Sequence, residues 1–332
     1  MPFTLPPRAR HAGTPTVPRP GDAARSRQRH ARVALGVLWI VDGALQLQPS
    51  MFGRRFVTGV LVPSLAGSPR FVAGPVLSVA HWLEPHVAAW NALFASVQLL
   101  IGVGLLVRRT VRPALALSVV WSLAVWWLGE GLGGLFSGSA SPLTGAPGAV
   151  LLYALAALLV WPRRAAAQPA PSGSAAANGL LGDRGSRLAW AVLWLGGAAL
   201  LCQPANLSAD ALRATVAGAA AGEPRWLSDV LLRAASAVGG SATGMVAALA
   251  VAMAAVGVGV ALRWGETWLL GLAVVLAVLV WVFGEALGGI LTGTGTDPNT
   301  GPLLVLLGLA LHPVGERRRA VDAVPMLSGV GA

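Results

Sequence analysis

Apolar residues run almost unbroken over 33–48, 87–107, 113–136, 147–162, 188–203, 240–262, 267–291 and 301–314. At a rise of ~1.5 Å per residue, each run spans or nearly spans a hydrocarbon core of ~30 Å as a helix. The pattern predicts an all-α membrane protein with about eight transmembrane helices. Residues 1–30 lack apolar periodicity and read as a disordered, cytoplasmic Arg/Pro-rich tail. Residues 164–186 read as a cytoplasmic linker and 317–332 as a short basic tail.

The pattern recurs. Arg32 matches Arg187, Val37-Leu38-Trp39 matches Val192-Leu193-Trp194, and Gln48-Pro49 matches Gln203-Pro204. Pro69-Arg70 matches Pro224-Arg225, and Trp126, Glu130 and Gly138 match Trp281, Glu285 and Gly293. Every pair is 155 apart (187 − 32, 225 − 70, 285 − 130), with no gap. Apolar periodicity alone does not bring Gln-Pro, Pro-Arg and Gly-Glu into one register. The chain therefore reads as two four-helix repeats, 31–163 and 187–316. An even number of helices in each makes them parallel, related by an axis along the membrane normal. The first apolar run follows an Arg-rich segment, as a signal sequence would, but its counterpart lies mid-chain, so it reads as a retained helix.

Charge fits this layout. The chain has 24 basic residues, all arginine, against 13 acidic ones, a formal +11, with only 11% charged residues. A nucleic-acid binder spreads basic residues over a wet surface. Here they form short blocks: Arg25, Arg27, Arg29 and Arg32; Arg108, Arg109 and Arg112; Arg163, Arg164, Arg184 and Arg187; Arg317, Arg318 and Arg319. With eight helices all four blocks fall on one side, which places both termini in the cytoplasm. The single cysteine excludes a disulfide scaffold. Residues 51–85 and 206–239 read as outer segments, either interfacial helices or ordered loops.

Candidate chemistry lies in Gly129-Glu130-Gly131-Leu132-Gly133-Gly134 and in Gly284-Glu285-Ala286-Leu287-Gly288-Gly289. Glycines four apart on an apolar helix would let another helix approach closely. Glu130 lies 18 residues beyond Arg112 (130 − 112), ~27 Å along a helix and near the outer boundary. A carboxylate there needs water or a partner, and the repeat nominates Arg70 for Glu130 and Arg225 for Glu285. Such pairs would either pin the outer segments or belong to an outward-facing polar pocket. Gln48 and Gln203 would join that pocket or cap backbone before the following prolines.

Asp42 is placed differently, ten residues beyond Arg32 (42 − 32) and ~15 Å in, near the bilayer centre. An aspartate there costs at least ~2.5 kcal/mol on insertion scales. Asn91 and Gln98 are candidate partners, and a protonated Asp42 bonded to a backbone carbonyl or to Gln98 without further role is the alternative. The positions 155 further on, Gly197, Val246 and Met253, are all apolar. One half thus has a polar interior and the other an apolar one, as for a working half beside a scaffolding half or two halves about one site. His81, Glu84 and His86 match no zinc spacing, so no metal is expected. Trp121, Trp126 and Trp127 suit either packing or a flat ligand such as a quinone. No phosphate loop, dinucleotide fingerprint or Ser/His/Asp grouping is present, and the chain leans away from an enzyme.

A four-helix unit with a polar residue on helix 1, a long outer segment and a Gly-rich third helix resembles the DoxX-like group of small bacterial membrane proteins, here duplicated. That resemblance implies a plasma-membrane protein associated, in some members, with quinone-linked redox systems; it carries over no catalytic residue. Three functions follow: binding or moving a small solute or proton in a pocket around Glu130 and Glu285, serving as a quinone-linked redox subunit, or scaffolding without a ligand. The expected partners are the lipid bilayer and a small solute or quinone, not nucleic acid, and no cofactor is expected outside the quinone reading.

Overall fold

A computed structural model describes residues 22–162 and 179–312, apart from 209. Most of the expected N-terminal tail and linker, and the whole C-terminal tail, lie outside these residues, as do Arg163, Arg164 and Arg317, Arg318 and Arg319. The described residues are helical, with no strand among them. The helices of nine or more residues are α1 (Asp22–Gln46), α2 (Arg70–Leu83), α3 (Val87–Leu106), α4 (Val111–Leu128), α5 (Ala149–Leu159) and α6 (Gly182–Leu201). They continue with α7 (Ala211–Ala219), α8 (Arg225–Val238), α9 (Ala242–Ala261), α10 (Glu266–Phe283) and α11 (Thr300–Leu311). Helices α2, α3 and α4 start 155 positions before α8, α9 and α10 (225 − 70, 242 − 87, 266 − 111).

Four helical stretches are long and apolar enough to cross a membrane: Arg70–Leu106, Val111–Leu128, Arg225–Ala261 and Glu266–Phe283. Their outward faces remain greasy, with Leu100, Val120 and Val251 each about two-thirds exposed (67%, 65% and 70%). In water such a surface would drive association; in lipid it is the solvated face. Tryptophans mark both ends, with Trp82 and Trp226 exposed at one and Trp264 and Trp268 at the other, as an aromatic belt requires.

Helix α1 packs along α3 and α6 along α9, while α4 packs on α5 and α10 on α11. The two short helices α5 and α11 also pack on each other, joining both halves into one core around Trp39, Tyr153, Trp190 and Leu303. Small residues permit the closest approach: a Cβ on Gly102 would lie 2.8 Å from the Gly36 carbonyl oxygen and 2.9 Å from the Ile40 nitrogen.

Three expectations change. Helix α1 starts at Asp22, so residues 22–30, read as tail, are helical; alanine and arginine there are good helix formers behind an acidic first residue. The runs 147–162 and 301–314 give helices of only 11 and 12 residues, ~17 Å long. The run 113–136 stops being helical at Leu128, where a glycine-rich turn begins.

The arginine-bearing ends gather on one face. Arg27 approaches His312 at 3.3 Å, and Gln28 donates to the Trp161 carbonyl at 3.0 Å. In the second half Arg187, with a side chain only 6% exposed, meets Asp183 at 3.2 Å, Glu266 at 2.7 Å and the Val260 carbonyl at 2.9 Å. Asp183 also takes Arg263. The matching first-half positions, Gln28, Arg32 and Val111, carry no acid. Breaking a buried ion pair leaves a charge uncompensated, so Glu266→Ala is expected to cost about 3 kcal/mol. Thermal unfolding in detergent measures this; an unchanged melting temperature would show that Asp183 alone suffices.

Candidate functional site

Beyond α4 and α10 the chain does something unusual twice. Gly131, Leu132, Gly133 and Gly134 have φ of 55, 57, 61 and 67°, and Ala286, Leu287, Gly288 and Gly289 have φ of 46, 60, 79 and 64°. Each is a single left-handed turn, which L-residues resist by ~1–2 kcal/mol apiece. The expected close approach of small residues is real, but its partner is loop backbone rather than a helix. A Cβ on Gly133 would lie 1.9 Å from the Pro147 carbonyl oxygen, and one on Gly288 would lie 2.5 Å from the Pro298 carbonyl carbon.

The turn swings each glutamate inward onto the first residues of a short helix. Glu285 accepts from the Thr300 hydroxyl and from the Gly301 N–H at 3.2 Å, at the start of α11. Glu130 accepts from the Val150 N–H at 3.4 Å, at the start of α5. Trp126 donates to the Pro147 carbonyl at 2.6 Å and Trp281 to the Pro298 carbonyl at 2.8 Å, bracing the same junctions. A helix N-terminus offers free N–H groups and partial positive charge, which suits a carboxylate.

The expected Arg70–Glu130 and Arg225–Glu285 pairs do not form. Both arginines are exposed on the first turn of α2 and α8, while the glutamates face inward. A cation at a helix N-terminus is disfavoured by the helix dipole, and solvent offsets that cost. Gln48 and Gln203 do not join the glutamates either. Gln48 donates to the Gly295 carbonyl at 2.9 Å, and the Gln203 Oε1 atom is buried without a partner. Ser50 adds a bond to the Gly293 carbonyl at 2.6 Å, and Asn206 donates to the Ala140 carbonyl at 2.8 Å. The loop of each half thus crosses to the end of the other half's first helix.

Asp42, only 1% exposed, accepts from the Tyr153 hydroxyl at 2.8 Å. Asn91 instead donates to the Gln46 carbonyl at 2.7 Å, and Gln98 Oε1 has no partner. A cavity of about 280 Å³ opens beside Asp42. Gln46, Gln98, Glu130 and Asp297 line its polar side, and Trp39, Phe56, Trp82, Phe94 and Trp121 its aromatic side. Asp297 was not anticipated; it arrives on the loop crossing from the second half. Trp126 and Pro147 are 21 residues apart but Trp281 and Pro298 only 17, so the 155 register breaks just before it. Pro298 therefore corresponds to Pro147, 151 positions before it (298 − 147).

A second cavity of about 630 Å³ adjoins the first and shares Val60, Gly129, Glu130, Thr296 and Asp297 with it. Its lining is hydroxyl- and glycine-rich, including Ser137, Ser139, Ser141 and Thr144. Burial pushes the carboxyl of Glu130, beyond the end of α4, up to about 8, and that of Glu285, beyond α10, up to about 7. Asp297 is likewise raised by burial.

The other half has the matching space without the chemistry. A cavity of about 420 Å³ is lined by Ala234, Ala237, Leu249, Leu276, Leu279 and Phe283, which stand 155 positions after Val79, Trp82, Phe94, Trp121, Ala124 and Leu128 of the first chamber. Among the described residues no acid lines it, and Leu143 from the crossing loop takes part instead. Where the first half has Asp42 and Gln98, the second has Gly197 and Met253, and a Cβ on Gly197 would lie 2.4 Å from the Met253 methyl. Comparison with known proteins found no matching family model, curated protein or solved structure.

Proposed function

We propose that the protein is a multi-pass integral membrane protein of two parallel four-helix units, with both termini cytoplasmic, whose first unit binds or moves a small solute through an outward-facing chamber. The observation that carries this reading is the asymmetry of the two cavities at positions 155 apart, one acidic and rich in aromatic rings, the other apolar with a single ring, Phe283. The recurrence of α2, α3 and α4 as α8, α9 and α10 supports the repeat. The polar vestibule lies at the end opposite Arg27, Arg187 and Arg263, which supports an outward mouth. Pockets of this kind, a mainly apolar wall with a few convergent polar groups, are where small molecules bind.

Thiol labelling tests it. With Cys202 replaced by serine, Gln98→Cys would place a thiol in the chamber and Met253→Cys one at the matching position of the second half. A small charged methanethiosulfonate added to right-side-out vesicles is expected to modify Gln98→Cys at least tenfold faster. Equal rates, or no modification of Gln98→Cys, would reject an outward-facing chamber in the first unit.

A second reading draws on one atom. Trp121 Nε1 is buried without a partner on the chamber wall and could donate to a quinone carbonyl, which would suit a DoxX-like subunit of a quinone-linked redox system. Protection of Gln98→Cys by a short-chain quinone, but not by polar solutes, would select this reading.

A further inference from the structure

We propose that the chamber's ligand is an amphiphilic organic cation, a protonated amine carried on an apolar, ring-bearing body. The proposal rests on the chamber reading above and deepens it.

Charge is the first argument. In a chain with a formal +11, no arginine or histidine among the described residues lines the chamber or its vestibule. Three carboxyls do: Asp42, Glu130 and Asp297. Glu130 already faces the positive end of α5 through the Val150 N–H. The other two have neutral partners: Tyr153 for Asp42, and Thr296 at 2.9 Å with the Asn299 N–H at 2.7 Å for Asp297. Two acids lining one chamber without a cation leave room for one.

Unpartnered atoms are the second, independent argument. Gln46 and Gln98 are 6% and 7% exposed, both line the chamber, and each has a buried Oε1 with no hydrogen-bond partner. Glu130 Oε2 is buried and unpartnered on the same wall. Orphaned acceptors are costly, and an ammonium brings three donors and no acceptor.

The remaining wall fits the rest of such a molecule. Phe94 and Trp121 stand 5.5 Å apart and Phe56 and Phe94 6.2 Å apart. Aromatic faces attract a cation within ~6 Å, most strongly where water is excluded. Trp82 lines the chamber while 59% exposed, and Ala124 lines it on the exposed side of α4, so the wall borders the lipid-facing surface. A ligand with an apolar body can partition there first. At about 280 Å³ the space sits near the lower end of small-molecule pockets, ~300–1,000 Å³, so the molecule is small.

The test uses three probes of one shape on the full-length protein in nanodiscs: phenethylamine, 2-phenylethanol and phenylacetate, titrated against tryptophan emission. The amine is expected to bind at least tenfold more tightly than the alcohol, with the carboxylate weakest. Asp42→Asn keeps an acceptor for Tyr153, and Asp297→Asn keeps one for Asn299; each is expected to weaken the amine at least tenfold and the alcohol less than threefold. Asp42→Gly combined with Gln98→Met installs the pair that packs in the second half, and is expected to abolish binding while the melting temperature shows a folded protein. Equal binding of amine and alcohol, both lost in that double variant, would overturn cation selection and leave the chamber standing. No binding of any probe would overturn both readings.

Discussion

Gly133→Ala is expected to melt at least 10 °C below the parent protein, on the order of 4 kcal/mol in this size class. Two effects combine. The left-handed φ of 61° costs alanine ~1 kcal/mol. The larger effect is steric: the new Cβ would fall 1.9 Å from a backbone oxygen, so the Pro147 junction must move. That movement would break the Trp126–Pro147 hydrogen bond and pull α5 away from Glu130. Gly138→Ala separates the two effects, because Gly138 has φ of 76° and nothing within 4 Å of the added carbon. It should lose only the conformational ~1 kcal/mol. Equal melting losses in the two variants would show that the close approach to Pro147 does not hold the turn. Gly288→Ala, facing Pro298 at 2.5 Å, should behave as Gly133→Ala does.

Glu285→Ala should cost about 3 kcal/mol and Glu130→Ala only about 1 kcal/mol, although the two occupy matching positions. Glu285 is 7% exposed and both its oxygens are engaged, one by the Thr300 hydroxyl and one by the Gly301 N–H. Removing it strands two buried donors at the start of α11. Glu130 holds a single long bond of 3.4 Å, and its second oxygen faces the cavities. Water entering from the vestibule can take over the Val150 N–H. Unfolding of both variants in detergent decides the matter; a Glu130→Ala loss equal to or above that of Glu285→Ala would mean that both glutamates are structural. The expected inequality separates a carboxylate spent on a helix end from one with capacity left for a ligand.

The glycine-rich segment was readable as important and misreadable in form. Glycines four apart suggest a helix interface, because periodicity records spacing and not the sign of φ. Shared register nominates the exposed Arg70 and Arg225 for the glutamates, yet register is silent on whether a side chain faces in or out. Asp42 stood out by depth, but its partner did not. Tyr153 lies 111 residues away on a helix whose register has slipped, and nothing in the sequence aligns it. Asp297 was hidden for the same reason: the shorter second loop shifts it out of the 155 alignment.

The sequence by itself determined the apolar helices, their 155-residue recurrence, the arginine-rich pole and the contrast between a polar and an apolar half. These are one-dimensional properties, set by hydropathy over ~20 residues and by residue identity at fixed spacing. Only the tertiary structure decided which carboxylate is spent on a helix end, which polar side chains are left unpartnered, and which loop supplies Asp297. Those outcomes depend on contacts such as Gln48 with Gly295, 247 residues apart, and on left-handed turns that re-aim the chain. Packing between distant segments, not local propensity, brought Asp297 into the first chamber beside Asp42 and Glu130.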